Sequence, residues 1–333
     1  MISIRNNCKD PRFNLALEEY VIKQMDPDFD YVILWQNEPS VIIGRNQNTI
    51  EEININFIKD NNIHVVRRLS GGGAVYHDLG NLNFTFIVRN KGDVAENFRK
   101  FTEPVVSLLR SLGVDAQFTG RNDITIDGRK FSGNAQYYFK DRLLHHGTIL
   151  FNSDLARVQE ALNVSHDKIE SKGVKSVRSR VTNILPYLKD SISLEDFKDA
   201  LLKFILNDED YKKKEYILSE KDITAINELV ERKYATWEWN YGESPAFNVE
   251  KKRRFTGGKL DLRFNVKRDK VSTISQIRIL GDFFGKKEIS ELESRLIGTL
   301  YKEEAVRSLL ESIDFESYLA GFTIDDFIQC MFY

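Results

Sequence analysis

The residues best placed to do chemistry fall in four short stretches. The first is Arg67-Arg68-Leu69-Ser70-Gly71-Gly72-Gly73-Ala74-Val75-Tyr76-His77-Asp78. Three adjacent glycines after a strand-like run let the backbone approach a ligand with no Cβ in the way. Successive N–H groups in such a loop can bind an anion, and two arginines just upstream could add charge-assisted bonds to a carboxylate or phosphate. No Gly-Lys-Ser/Thr follows, so the loop is not a P-loop. Tyr76 stands where a dinucleotide fingerprint requires its third glycine. Glycines alone would read as a turn between strands; the flanking Arg-Arg and His-Asp tip the balance to a binding loop.

The second stretch runs from Gly120-Arg121-Asn122-Asp123 to Asp127-Gly128-Arg129-Lys130-Phe131-Ser132-Gly133-Asn134. Regular alternation would place Lys130, Ser132, Asn134 and Gln136 on one strand face. A lysine held there can neutralise phosphate and a charge developing in a transition state; a solvent-facing sheet side accounts for the spacing equally well. The third stretch, His145-His146-Gly147-Thr148, suggests metal, but strand neighbours point to opposite faces and share one ion poorly. One buried and one surface histidine is the preferred reading, and the spacing does not say which of them faces Lys130. The fourth, Lys172 to Asn183, holds four basic residues and no acid. It reads either as a solvated loop or as a basic loop that closes over a phosphate-bearing intermediate and excludes water. No Gly-x-Ser-x-Gly is present, and neither Cys8 nor Cys330 lies near these motifs.

These residues need a scaffold, and the rest of the chain supplies one. Its 333 residues suggest roughly two domains, and 22 Phe with 13 Tyr provide ample core. Lys plus Arg number 48 against 50 Asp plus Glu, so the net charge of −2 argues against an electrostatic coat for nucleic acid. The longest apolar run, Tyr31 to Trp35, is far short of the ~20 residues of a membrane helix, and Met1 to Asp10 holds no export signal. A cytoplasmic protein is expected, without membrane or nucleic-acid partners and as a monomer. The pattern is α+β: helices at 11–25, 49–61 (Thr49 as N-cap) and 94–112 (split at Pro104), then three antiparallel strands from Asp123 to Phe151 around an Asp127-Gly128 turn. Helices follow at 153–162, 193–206 and 222–234. The charge run Lys251-Lys252-Arg253-Arg254 is taken into a linker at 245–254, which separates a unit of residues 1–244 from a small α+β unit at 255–333.

Together the four stretches resemble the lipoate–protein ligase family in its long, two-domain bacterial form. The most telling residues are Arg67 to Asp78, Gly80-Asn81-Leu82-Asn83-Phe84, Gly128 to Ala135, and His146-Gly147-Thr148. The resemblance implies a ligase-like large unit of mixed and antiparallel sheets with flanking helices, and a C-terminal accessory unit. It implies that lipoate and ATP, with magnesium, give lipoyl-AMP and pyrophosphate. The lipoyl group then passes to the ε-amine of a lysine on a lipoyl domain of a 2-oxoacid dehydrogenase complex or on the glycine cleavage H protein. By motif match Lys130 is the catalytic residue, and Arg68, Gly73, Ala74, Val75, Tyr76 and Lys130 bind ATP. Ser70, Gly71, Gly72, Gly73, Lys130 and His146 bind lipoate, and Lys172, Gly173, Val174, Lys175, Ser176, Val177 and Arg178 form an adenylate-binding loop. Metal ligands are unassigned, with Asp123 the one candidate. Burying six or seven lipoyl carbons would contribute roughly 5 kcal/mol. Two rivals remain. One is a lipoyl or octanoyl amidotransferase acting between carrier proteins; the thioester route of octanoyltransferases would need a cysteine, which the glycine loop and the lysine strand lack. The other is a non-enzymatic nucleotide or nucleic-acid binder, which the near-neutral charge disfavours.

Overall fold

The computed structural model describes residues 1–90, 94–120, 122–162, 181–241, 249–268 and 272–333. Its strands, in chain order, begin with β1 (Ile2–Arg5), β2 (Tyr31–Trp35), β3 (Ser40–Ile43), β4 (His64–Arg67), β5 (Val75–His77), β6 (Asn81–Arg89) and β7 (Ala116–Thr119). They continue with β8 (Asp123–Ile126), β9 (Arg129–Phe139), β10 (Arg142–Leu150), β11 (Tyr216–Ile217), β12 (Val249–Phe255), β13 (Gly258–Arg268) and β14 (Ser272–Gly281). Eight of them form one mixed sheet in the order β11-β1-β2-β6-β10-β9-β8-β7. A small sheet β4-β3-β5 carries the glycine loop between β4 and β5, and β12-β13-β14 form an antiparallel C-terminal sheet. The architecture is α+β.

Each face of the large sheet is covered differently. Phe84, Phe86, Ile124 and Phe131 pack under the helices Val94–Ser111 and Leu194–Leu206. On the other side, Ile33, Trp35 and Leu144 pack against the helix Pro11–Gln24 and the small-sheet residues Ile42 and Val66. The helix Pro11–Gln24 starts where Asp10 accepts from Arg12 N and Pro11 occupies the first turn. The C-terminal sheet has its own core, in which Phe264, Phe283, Leu292 and Phe327 are fully buried. No helix among the described residues is long and apolar enough to cross a membrane.

Several sequence expectations change. Residues 249–254, assigned to a linker, form most of β12 and pair with β13 from Val249↔Phe264 to Phe255↔Gly258. The charge run therefore belongs to the C-terminal sheet; lysine and arginine are common on an edge strand such as β12, where they deter further pairing. Residues 245–248 lie outside the described residues. Pro104 does not split its helix, which runs unbroken from Val94 to Ser111. The lost bond falls at Lys100, on the exposed side, where water can serve its carbonyl. The stretch 49–61 is two short helices, Thr49–Glu52 and Ile55–Asp60, because Ile53 pairs with Leu162 and Asn54 caps the second. Thr49 is not the cap; its Oγ1 donates to Asn240 O at 2.6 Å. The short strands β1, β7 and β11 carry no sequence signal strong enough to anticipate.

Candidate functional site

A cleft of about 300 Å³ opens between the glycine loop and the face of the large sheet formed by β2, β6, β10, β9 and β8. The pairing register sets which side chains face it. Trp35 pairs with Asn83, Thr148 with Asn83 and His146 with Ala135, so these five residues share one face. At β9 the register slips by one residue, with Ile124 opposite Ser132 but Thr125 opposite Lys130. Phe131 is the extra residue, and it is fully buried in the opposite core. Lys130 and Ser132 thus occupy opposite faces, and the single polar face expected from regular alternation does not exist. Lys130 stands at the cleft with Gly133 and Ala135. Its Nζ makes a 2.7 Å ion pair with Asp123 Oδ1. A Cβ on Gly133 would lie 2.8 Å from that Nζ, so the glycine gives the lysine its room.

The two arginines before the glycines do different work. Arg67 turns away from the cleft. Its guanidinium donates to the carbonyls of Gly44, Arg45, Gln47, Trp239 and Asn240 and to Thr49 Oγ1. Burial, then the neighbouring Arg45, Arg278 and Arg68, push its pKa down to about 9. Arg68 borders the cleft, but it also braces the loop: it donates to Gly71 O at 2.6 Å, Gly73 O at 2.9 Å and Ser70 Oγ at 3.0 Å. Burial lowers its pKa to about 10, so it stays charged at neutral pH. With the loop's carbonyls turned to Arg68, the N–H groups of Gly73 and Ala74 have no partner among the described residues.

The glycines divide as well. Gly73 has open space where a Cβ would sit. Gly71 and Gly72 instead receive the C-terminal region: Gly72 N donates to Phe283 O at 3.1 Å, and a Cβ on Gly71 would fall 2.2 Å from that oxygen. Gly72 lies under the ring of Phe284, which walls the cleft together with Asp282. Neither Phe284 nor Asp282 is a candidate from the sequence, and no local signal marks them. Tyr76 is buried against Val41, Ile43 and Ile58 and does not line the cleft. Residues 172–178, the expected adenylate-binding loop, lie outside the described residues; Val181 beyond them bridges Lys130.

His146, not His145, faces the cleft. Its Nε2 lies 2.6 Å from Ser70 Oγ and its Nδ1 3.0 Å from Glu18 Oε1. Glu18 also accepts from Thr85 Oγ1, which accepts from Trp35 Nε1 at 2.9 Å. Arg68 Nε donates to the same Ser70 Oγ, so the hydroxyl ties the histidine to the arginine that braces the loop. The sequence of contacts copies a Ser–His–carboxylate triad. Yet Ser70 is fully buried, holds Arg68 and does not border the cleft, so the chain orients the wall and supplies no nucleophile. Sequence reasoning misses Glu18, although a carboxylate three residues after Leu15 in the apolar stripe of an amphipathic helix is a usable signal. His77 borders the cleft from the loop side. Its Nδ1 meets Asn37 at 3.0 Å, its Nε2 is buried without a partner among the described residues, and burial with the nearby Arg68 lowers its pKa to about 3. The apolar wall is Leu15, Trp35, Ile42 and Val75.

Comparison with known proteins finds matches along nearly the whole chain. Residues 10–206 match the model of the lipoyl protein ligase A/B catalytic domain, and residues 244–331 match that of the bacterial lipoate protein ligase C-terminus. The chain is 49% identical to a lipoate-protein ligase of Bacillus subtilis, over 100% of both chains. It superposes on Plasmodium falciparum LipL1, solved in complex with lipoate, with a TM-score of 0.79 at 27% identity, covering 98% of this chain and 97% of that one. A lipoate-protein ligase A bound with ATP matches with a TM-score of 0.63 at 29% identity, over 72% of this chain and 98% of that one. With both units matched and a full-length relative at this identity, the chain belongs to the lipoate–protein ligase family.

Proposed function

We propose that the protein activates free lipoate with ATP, releasing pyrophosphate, and passes the lipoyl group from lipoyl-AMP to a lysine ε-amine on a lipoyl domain or the glycine cleavage H protein. The observation that carries this reading is a single cleft in which an apolar slot ends at a lysine. The slot of Leu15, Trp35, Ile42 and Val75 suits an acyl tail with a ring. Lys130, beyond it, suits the carboxylate and the α-phosphate. In the first step the lipoate carboxylate attacks the α-phosphorus and pyrophosphate leaves; charge builds on non-bridging phosphate oxygens, where the Lys130 ammonium and the Gly73 and Ala74 N–H groups stabilise it. In the second step the acceptor amine attacks the acyl carbon, charge builds on the carbonyl oxygen beside Lys130, and AMP leaves.

His146, held by Glu18 and Ser70, gives the slot a fixed polar wall. Magnesium enters as part of the nucleotide substrate. No three His, Cys, Asp or Glu among the described residues converge into a metal site. Asp123 and Asp282 are the carboxylates at the cleft that could add a ligand to a cation already held by phosphates. The test is pyrophosphate release with ATP and lipoate, with and without a lipoyl domain or H protein. Release that depends on lipoate, followed by acceptor lipoylation, is expected. Lipoylation only from an already acylated carrier would replace this reading with amidotransfer.

A further inference from the structure

A second cavity, about 620 Å³, lies between the large sheet and the C-terminal region. Its floor is the far part of β9. That strand runs for 11 residues, Arg129–Phe139. β10 pairs with Asn134 to Phe139 on one side, but β8 covers the other side only from Arg129 to Gly133. Beyond Gly133 the second edge carries no strand among the described residues. Asn134 shows which groups point that way: its N–H donates to Asn122 O at 3.0 Å and its carbonyl accepts from Asn122 Nδ2 at 2.7 Å, both on the side away from β10. Strand alternation aims the N–H and C=O of Gln136 in the same direction. No described residue pairs with either group. Gln136 is 4% exposed, and its side chain is occupied by His145 Nδ1 and Tyr138 Oη, so it cannot cover its own backbone. A buried, unpaired donor and acceptor on a strand edge ask for a main-chain partner.

We propose that this edge receives an extended segment of the acceptor protein, next to its target lysine, as an added strand. The inference rests on the ligase reading above. The groove adjoins the cleft, with Phe284 in the wall of both. Gln136 is three residues along β9 from Gly133, the residue under Lys130 Nζ, which is about 10 Å of strand. A docked strand thus delivers a neighbouring lysine to the reacting carbon. Main-chain pairing tolerates different side chains, which suits a ligase serving carriers of unlike sequence. Phe118 and Phe98 on one wall and Lys286 and Ser317 on the other give the added strand a mixed lining.

The full-length protein is mixed with an isolated lipoyl domain whose acceptor lysine is replaced by arginine, and amide exchange is followed at residues 134–139. Exchange at Gln136 is expected to slow by about tenfold or more. In parallel, Phe118→Arg is expected to lower lipoyl transfer about tenfold relative to the same variant's own pyrophosphate release. Unchanged exchange at Gln136 while the wild type lipoylates its carrier normally overturns the added strand and leaves the ligase reading intact. Loss of lipoate-dependent pyrophosphate release in the wild type overturns that reading instead.

Discussion

His145 and His146 are neighbours in one strand and meet opposite surroundings. His145 is fully buried among the rings of Phe84, Phe98 and Phe101, with centroids 5.4–6.0 Å away, and burial holds its pKa well below the usual histidine value. His146 lies on the other side of the same sheet, in a hydrogen-bonded chain with Ser70 and Glu18 at the cleft wall. The same division holds for Lys130 and Phe131, adjacent residues that point to cleft and core, and the bulge keeps Ser132 off the cleft face. One face of the sheet carries the aromatic core around His145; the other combines a second apolar core with the cleft. A step of one residue along β9 or β10 separates the two.

Substitutions can break that division or sharpen it. The largest effect is expected on the core face: Phe84 is fully buried and fills the space that Gly147 leaves, so Phe84→Ala should cost about 3–5 kcal/mol in urea unfolding. A loss below about 1 kcal/mol would mean the core face is not what holds the sheet. On the cleft face, Lys130→Ala should lower pyrophosphate release about 100- to 1,000-fold. Its half-exposed pair with Asp123 is worth no more than about 1 kcal/mol, so the unfolding midpoint should barely move. Acid should act through the buried neutral histidines. His77 and His145 have folded pKa values below their unfolded ones, so the unfolded chain binds their protons first and stability falls as pH drops below about 6.5. Each should cost about 1 kcal/mol between pH 6.5 and 5.5, and His77→Gln should flatten the slope. The smallest contrast lies within the glycine loop. Gly71→Ala meets Phe283 O and should cost about 1–3 kcal/mol, whereas Gly73→Ala meets nothing and should stay within about 0.5 kcal/mol by thermal unfolding.

Much of the division is legible in the amino-acid sequence. The Asp127-Gly128 turn and the strands around it follow from local turn chemistry, and Asp127 and Gly128 both adopt positive φ. Alternation alone requires the two histidines to part. Which one faces the cleft is not legible, because register depends on β6 and β9 together. The bulge at Phe131 is equally hidden: an apolar residue between Lys130 and Ser132 also fits an unbroken strand. Three glycines read as space for a ligand, yet the Phe283 backbone docks on Gly71 and the Phe284 ring on Gly72, both more than 200 residues away in the chain. Long-range contacts of that kind leave no local pattern, as the burial of the C-terminal Phe284 against the cleft shows.

The most direct test is the single-turnover rate of lipoate-dependent pyrophosphate release by Lys130→Ala, compared with the wild type under conditions where both are folded. The cleft geometry predicts a fall of about 100-fold or more. Release at the wild-type rate would show that the charge formed in the first step is stabilised elsewhere, and would contradict the assignment of chemistry to this face of the sheet.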